Sequence, residues 1–181
     1  MSDADADASR VLVALRVPVP AARAFAAFTE QIADWWQPNG LFQFSDGRTG
    51  TLAFEPEPGP DGHLVETYPD GSSFVIGHVR AWDPPHRLVL SWRHASFAAD
   101  QETELHVRFD DVEDDADAGA AGGAQTRVTV EHFGWDTIQH EHAARHGFPL
   151  ATFQLRFAQW WQALLRTLGD VAQRPAAPGP T

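Results

Sequence analysis

Histidines and carboxylates are the side chains of this sequence best suited to chemistry. The run His140-Glu141-His142-Ala143-Ala144-Arg145-His146 brings three imidazoles together. In a helix, His142 and His146 would stand at i and i+4 on one face, a spacing that can hold zinc. The run does not follow the His-Glu-x-x-His pattern, and no third ligand is specified. A polar connection bearing ordinary exposed histidines explains it better. His142 and His146 are the metal candidates, and no metal or other cofactor is expected.

A second set lies on predicted strands: Glu66, His78, Glu131 and His132. A buried carboxylate beside an imidazole can transfer protons, which makes His132 with Glu66 or Glu131 the catalytic candidates. His132 alternates in step with Val128 and Val130, so it is expected to face the interior. A histidine held structurally by its hydrogen bonds is the commoner outcome. For His78 the faces are open, because Phe74, Ile76 and His78 compete with Val75, Gly77 and Val79. No nucleophile elbow is legible.

The third set is aromatic. Seven Trp and 12 Phe are many for 181 residues. Trp36, Trp92, Phe153, Phe157 and Trp160, with His132, form a candidate ligand-binding set for a small apolar molecule. The same residues could simply be core.

The elements that must position these groups follow from periodicity and punctuation. Residues 11–17 alternate as a first strand, which Pro18 and Pro20 end. Helical spacing of Ala24, Phe25 and Phe28 follows, then a short helix at about Glu30–Trp36, broken by Pro38-Asn39-Gly40. Strands are predicted at 49–55, 63–68, 73–82, 87–94, 102–110 and 126–133. Pro84 and Pro85 force the turn between the third and fourth of these. Residues 111–125 read as a flexible acidic loop, since they lack the ligand spacing of a calcium loop. Phe153, Phe157, Trp160, Leu164 and Leu168 mark one face of a long last helix after Pro149. Residues 1–9 and 174–181 read as disordered tails around a domain at 10–173. Strands gathered in one antiparallel sheet with segregated helices make an α+β domain.

Composition narrows the chemistry. There are no cysteines, which excludes thiolate nucleophiles and iron–sulfur clusters, and no lysines, which excludes Schiff-base catalysis. Coding bias toward Ala, Arg, Pro and Gly accounts for the missing lysine. A formal net charge of −12 argues against nucleic acid as a partner. No apolar run is long enough for a membrane span, and no secretory signal is visible, so a cytoplasmic protein is expected.

The segment Gly77-His78-Val79, then Pro84-Pro85, Arg87-Leu88 and Trp92, resembles the START-like (SRPBCC) superfamily, whose fold is the helix-grip. The branch it most resembles is that of the activator of heat shock protein 90 ATPase homologue, C-terminal domain. Val17-Pro18-Val19-Pro20-Ala21 with Phe25 and Trp35-Trp36, and the closing Trp161, Leu165 and Leu168, extend the likeness over roughly 10–173. The resemblance implies a curved antiparallel sheet of six or seven strands wrapped around the last helix, with two short helices after the first strand. The strand–helix order and the aromatic stripe point to a small hydrophobic ligand held between sheet and helix. A cyclase- or hydrolase-like enzyme using a pocket His and carboxylate is the first alternative. A chaperone-interacting module is the second. It is expected to lack the separate N-terminal domain of the co-chaperone, and an exposed Trp35 would give it a docking surface. Whether the protein is an enzyme stays open, and a homodimer is compatible with the sequence.

Overall fold

The computed structural model describes residues 10–113 and 123–175. The acidic tail 1–9, residues 114–122 of the acidic loop and residues 176–181 of the last tail lie outside the described residues. Strand β1 (Val11–Val17) leads into helices α1 (Ala21–Glu30) and α2 (Ile32–Trp35). Six strands follow: β2 (Thr51–Glu55), β3 (His63–Thr67), β4 (Ser73–Asp83), β5 (Arg87–Trp92), β6 (Thr103–Val112) and β7 (Gln125–Phe133). Helix α3 (Leu150–Gln173) closes the domain. The strands form one curved antiparallel sheet in the order β1-β7-β6-β5-β4-β3-β2. This is the expected α+β helix-grip.

Local chemistry explains the boundaries. Pro20 is the N-cap of α1 and Pro149 that of α3, where a missing N–H costs nothing. Helix α3 buries Phe153, Phe157, Trp160, Trp161, Leu164, Leu165 and Leu168. Burying each such side chain is worth about 1.5–3 kcal/mol, so the stripe is pressed against the sheet. The helix continues past Gly169, whose added Cβ would stand 3.2 Å from Val17 Cγ1. The small residue lets α3 lie close on β1. At its far end Arg23 of α1 donates from Nε to Ala172 O (3.0 Å), placing a cation where helix carbonyls are unsatisfied.

One detail differs from expectation, and the open question of the β4 faces has its answer. The acidic connection is shorter than 111–125, because Asp111 pairs with Thr126 and Val112 with Gln125, extending the β6–β7 ladder beyond the apolar pattern. Strand β4 also changes register against β3 between Leu64 and Val65 and against β5 between Val79 and Ala81. These bulges break the two-residue period. As a result Ile76 and Gly77 are both buried, while Val75 and His78 are exposed. Only glycine fits at 77, since a Cβ there would lie 1.6 Å from the Ser91 carbonyl oxygen. Among the described residues no helix is long and apolar enough to cross a membrane.

Candidate functional site

The inner face of the sheet and α3 enclose a layer of aromatic rings. Trp92 on β5 stands 6.0 Å from Trp36 and 6.3 Å from Trp161, between ring centroids. Trp36 meets Trp160 at 5.1 Å, edge to face. Phe153 and Phe157 stack at 5.7 Å, one helical turn apart on α3. All five aromatic residues of the expected ligand-binding set, Trp36, Trp92, Phe153, Phe157 and Trp160, are buried in this layer together with His132.

The segment 36–50, between α2 and β2, covers the open edge of the layer. It contains no helix and only the isolated bridge Ser45–Arg48. Phe42 stacks on Trp160 (5.2 Å, 19°) and meets Phe157 edge-on at 5.1 Å. Phe44 packs on Trp36 and Trp92. Bonds fasten this segment to the body on both sides: toward β3 and the turn after it, Gly50 N–H donates to Glu66 Oε1, Arg48 NH2 donates to Asp70 and Ser72, and Tyr68 Oη is hydrogen-bonded to Ser45 Oγ. Ala95 N–H donates to Phe44 O (2.8 Å), Trp160 Nε1–H to Gln37 O (3.3 Å), and His146 Nε2–H to Leu41 O. His94 Nε2 stands 3.5 Å from Asp46 Oδ1. Burial lowers the pKa of His94, and His142 and His146 add to this while Asp46 opposes it.

The space expected between sheet and helix is filled by the rings themselves. Two slots remain beneath the 36–50 segment. One, of about 20 Å3, is lined by residues that include Trp92, His94, Trp135 and Phe157. The other, of about 10 Å3, is lined by residues that include Trp36, Phe44, Glu66 and Trp160. Each is the size of about one water.

His132 on β7 is fully buried, ringed by Trp92 (5.4 Å), Trp135 (5.3 Å) and Phe157 (5.1 Å). Its Nε2 lies 2.7 Å from Thr103 Oγ1, and that hydroxyl donates to Trp92 O at 3.2 Å. With the single Thr103 proton on Trp92 O, Nε2 carries the hydrogen and Nδ1 is a bare acceptor. Nδ1 has no partner. Burial, helped slightly by His106, holds the His132 pKa down at about 3. Two indole donors are likewise buried without partners, Trp135 Nε1 and Trp161 Nε1.

The sheet separates the carboxylate candidates. Glu131 follows its strand to the outer face, where Arg10 NH1 lies at 2.7 Å and Arg108 NH2 at 3.5 Å. Adjacent strand residues point to opposite faces, so Glu131 and His132 do not share an interior pocket. Glu66 on β3 is on the inner face and 4% exposed. Gly50 N–H donates to its Oε1 (2.7 Å), and Tyr68 Oη lies 3.0 Å from its Oε2. No hydrogen bond or ring contact joins Glu66 to His132 among the described residues. His78 is exposed beside His63, ring centroids 5.4 Å apart.

The metal candidates sit in irregular backbone, not in a helix. His142 caps a single turn at Ala143–Arg145, its Nδ1 accepting from Ala144 N–H (3.2 Å). His146 takes φ 52°, and Gly147 and Pro149 follow. His142 Nε2 approaches Ser96 O (3.2 Å), whereas His146 binds Leu41 O, so the two rings serve different carbonyls. Among the described residues no group of three or more His, Asp or Glu is placed to hold a metal ion. Trp35 is not exposed: it is buried and donates to Ala27 O at 3.1 Å. The docking surface considered for a chaperone partner is therefore absent at that position. Sequence periodicity does not single out Phe42, Phe44, Thr103 or Trp135, since neither loop aromatics nor a threonine at a strand start carry a periodic signal.

No curated protein sequence matches the chain. Among solved structures, a Nitrosomonas europaea protein superposes with TM-score 0.56 at 14% identity, over 96% of this chain and 97% of the other. The anthrahydroquino-γ-pyrone synthase Txn09 superposes with TM-score 0.50 at 28% identity, over 90% of this chain and 96% of the synthase. DynU16, a protein of the dynemicin biosynthetic locus, does so with TM-score 0.53 at 19% identity, over 90% of this chain and 46% of the other. The family model for activator of Hsp90 ATPase homolog 1-like proteins matches residues 18–172. By that match and by its helix-grip fold, the chain belongs to the activator of Hsp90 ATPase homolog 1-like family.

Proposed function

We propose that this protein binds a planar aromatic molecule bearing hydroxyl and carbonyl groups, taken into the layer between sheet and α3 when the 36–50 flap lifts. The observation that carries this is the set of unpartnered polar atoms within the aromatic layer: His132 Nδ1, Trp135 Nε1 and Trp161 Nε1. A buried polar atom without a partner costs about 1–3 kcal/mol, and a ligand hydroxyl and carbonyls would repay it. Aromatic faces suit a flat ring system. A long segment without regular structure is where lids are commonly found. The likeness to a synthase named for an anthrahydroquinone supports the same ligand class.

That likeness also favours a second reading, ring closure on the bound molecule. With its pKa near 3, His132 is too weak a base to ionise a phenol at neutral pH. Any such reaction would rest on orientation of the reacting groups and exclusion of water, with His132 as a hydrogen-bond acceptor.

Titration of intrinsic tryptophan fluorescence with the dihydroxyanthraquinone danthron, against anthracene as the unsubstituted control, tests the proposal. Saturable one-to-one quenching by danthron, weakened in His132→Phe and stronger than that by anthracene, is the expected result. Absence of saturable quenching by danthron would overturn it.

A further inference from the structure

Glu66 is a buried carboxylate without a cation. Among the described residues no Arg or His nitrogen forms an ion pair with it. Arg48 also lines the small slot, but its charge is engaged outside. Its guanidinium lies 3.8 Å over the Tyr68 ring, and NH2 donates to Asp70 Oδ2 (2.8 Å) and Ser72 Oγ (2.8 Å). Each Glu66 oxygen has one hydrogen-bonding neighbour, leaving acceptor capacity on both. A buried carboxylate needs hydrogen-bond donors at its oxygens, and the backbone at residue 50 is shaped to supply one. Gly50 can bring its N–H to Oε1 only because it has no side chain: a Cβ would lie 2.9 Å from Glu66 Cγ and 2.3 Å from Thr67 O.

Four aromatic residues, Trp36, Phe42, Phe44 and Trp160, share the lining of the slot with the polar Asn39, Gln43 and Thr49. Carboxylate and indole faces together attract a cation. With the 36–50 segment in place the slot, of about 10 Å3, has room for one water-sized group, the size of a primary ammonium and smaller than a trimethylammonium. We infer that the Glu66 slot receives a primary ammonium group at one end of the aromatic ligand. This rests on the ligand-binding proposal above, and adds that the ligand is an amine.

Three probes of one shape test it: naphthylmethylamine, naphthylmethanol and (naphthylmethyl)trimethylammonium, titrated by tryptophan fluorescence at neutral pH. The amine is expected to bind at least about tenfold more tightly than either of the others, a difference of about 1.4 kcal/mol. The preference should persist in high salt, which screens the diffuse attraction of an acidic surface. In Glu66→Gln it should vanish, the amine losing more affinity than naphthylmethanol does. Should that variant fail to fold, the three-probe ranking on the unaltered protein still decides. Equal affinity of amine and alcohol, or a preference that survives Glu66→Gln or disappears with salt, overturns the ammonium slot. If danthron binds and no naphthyl probe does, the slot falls and the aromatic pocket stands. If danthron also fails, both fall.

Discussion

Glu66 and Glu131 are both strand glutamates, and the sheet treats them in opposite ways. Glu131 faces outward and is flanked by two arginine side chains, with His106 and Glu104 paired nearby at 2.5 Å. Glu66 faces inward against Trp36 and Trp160, and a backbone N–H and a phenol serve it in place of a cation. The outer face thus settles its charges within the protein. The inner face leaves polar atoms with spare capacity among aromatic rings, the condition in which a ligand has something to gain.

Removing an inner ring should have the largest effect. Trp161→Ala empties the centre of the layer and should cost roughly 3–5 kcal/mol by urea unfolding. A loss below about 1 kcal/mol, as for a surface residue, would mean the layer is not the core. Next comes acid. His132 has a folded pKa of about 3 against 6.5 unfolded, so the unfolded chain takes up its proton first. This contribution is complete above pH 6.5 and is lost as pH falls toward 3. By about pH 4.5 the loss is roughly 2–3 kcal/mol. The fall in urea midpoint over that range should be shallower in His132→Gln, and parallel curves would break the assignment. Tyr68→Phe removes one neighbour of Glu66 and should cost about 1 kcal/mol by the same measurement. The smallest effect is expected outside. Glu131→Gln should cost less than about 1 kcal/mol, a difference that shrinks in high salt because its arginines are partly exposed. A larger cost for Glu131→Gln than for Tyr68→Phe would reverse the contrast between the faces.

Much of this contrast was legible in the residues. Alternation along 126–133 put His132 with Val128 and Val130 inside, and the same rule puts Glu131 outside. The Pro84-Pro85 turn and the α3 stripe follow from proline chemistry and helical spacing. The rest was hidden for identifiable reasons. Two bulges break the period of β4, so its faces cannot be counted from one end. The spacing of His142 and His146 has meaning only in a helix, and the left-handed His146 prevents one. Phe42 and Phe44 lie in a segment without periodicity, where nothing local says that they fold over Trp160 and Trp92. The bare Nδ1 of His132 depends on Thr103, distant in sequence, spending its proton on Trp92 O.

The most direct test is a crystal structure of the protein grown with danthron. The account predicts the ring system between the sheet and α3, Phe42 displaced from Trp160, and a ligand hydroxyl within hydrogen-bond distance of His132 Nδ1. Danthron bound only on the outer surface, with Phe42 still stacked on Trp160, would contradict it.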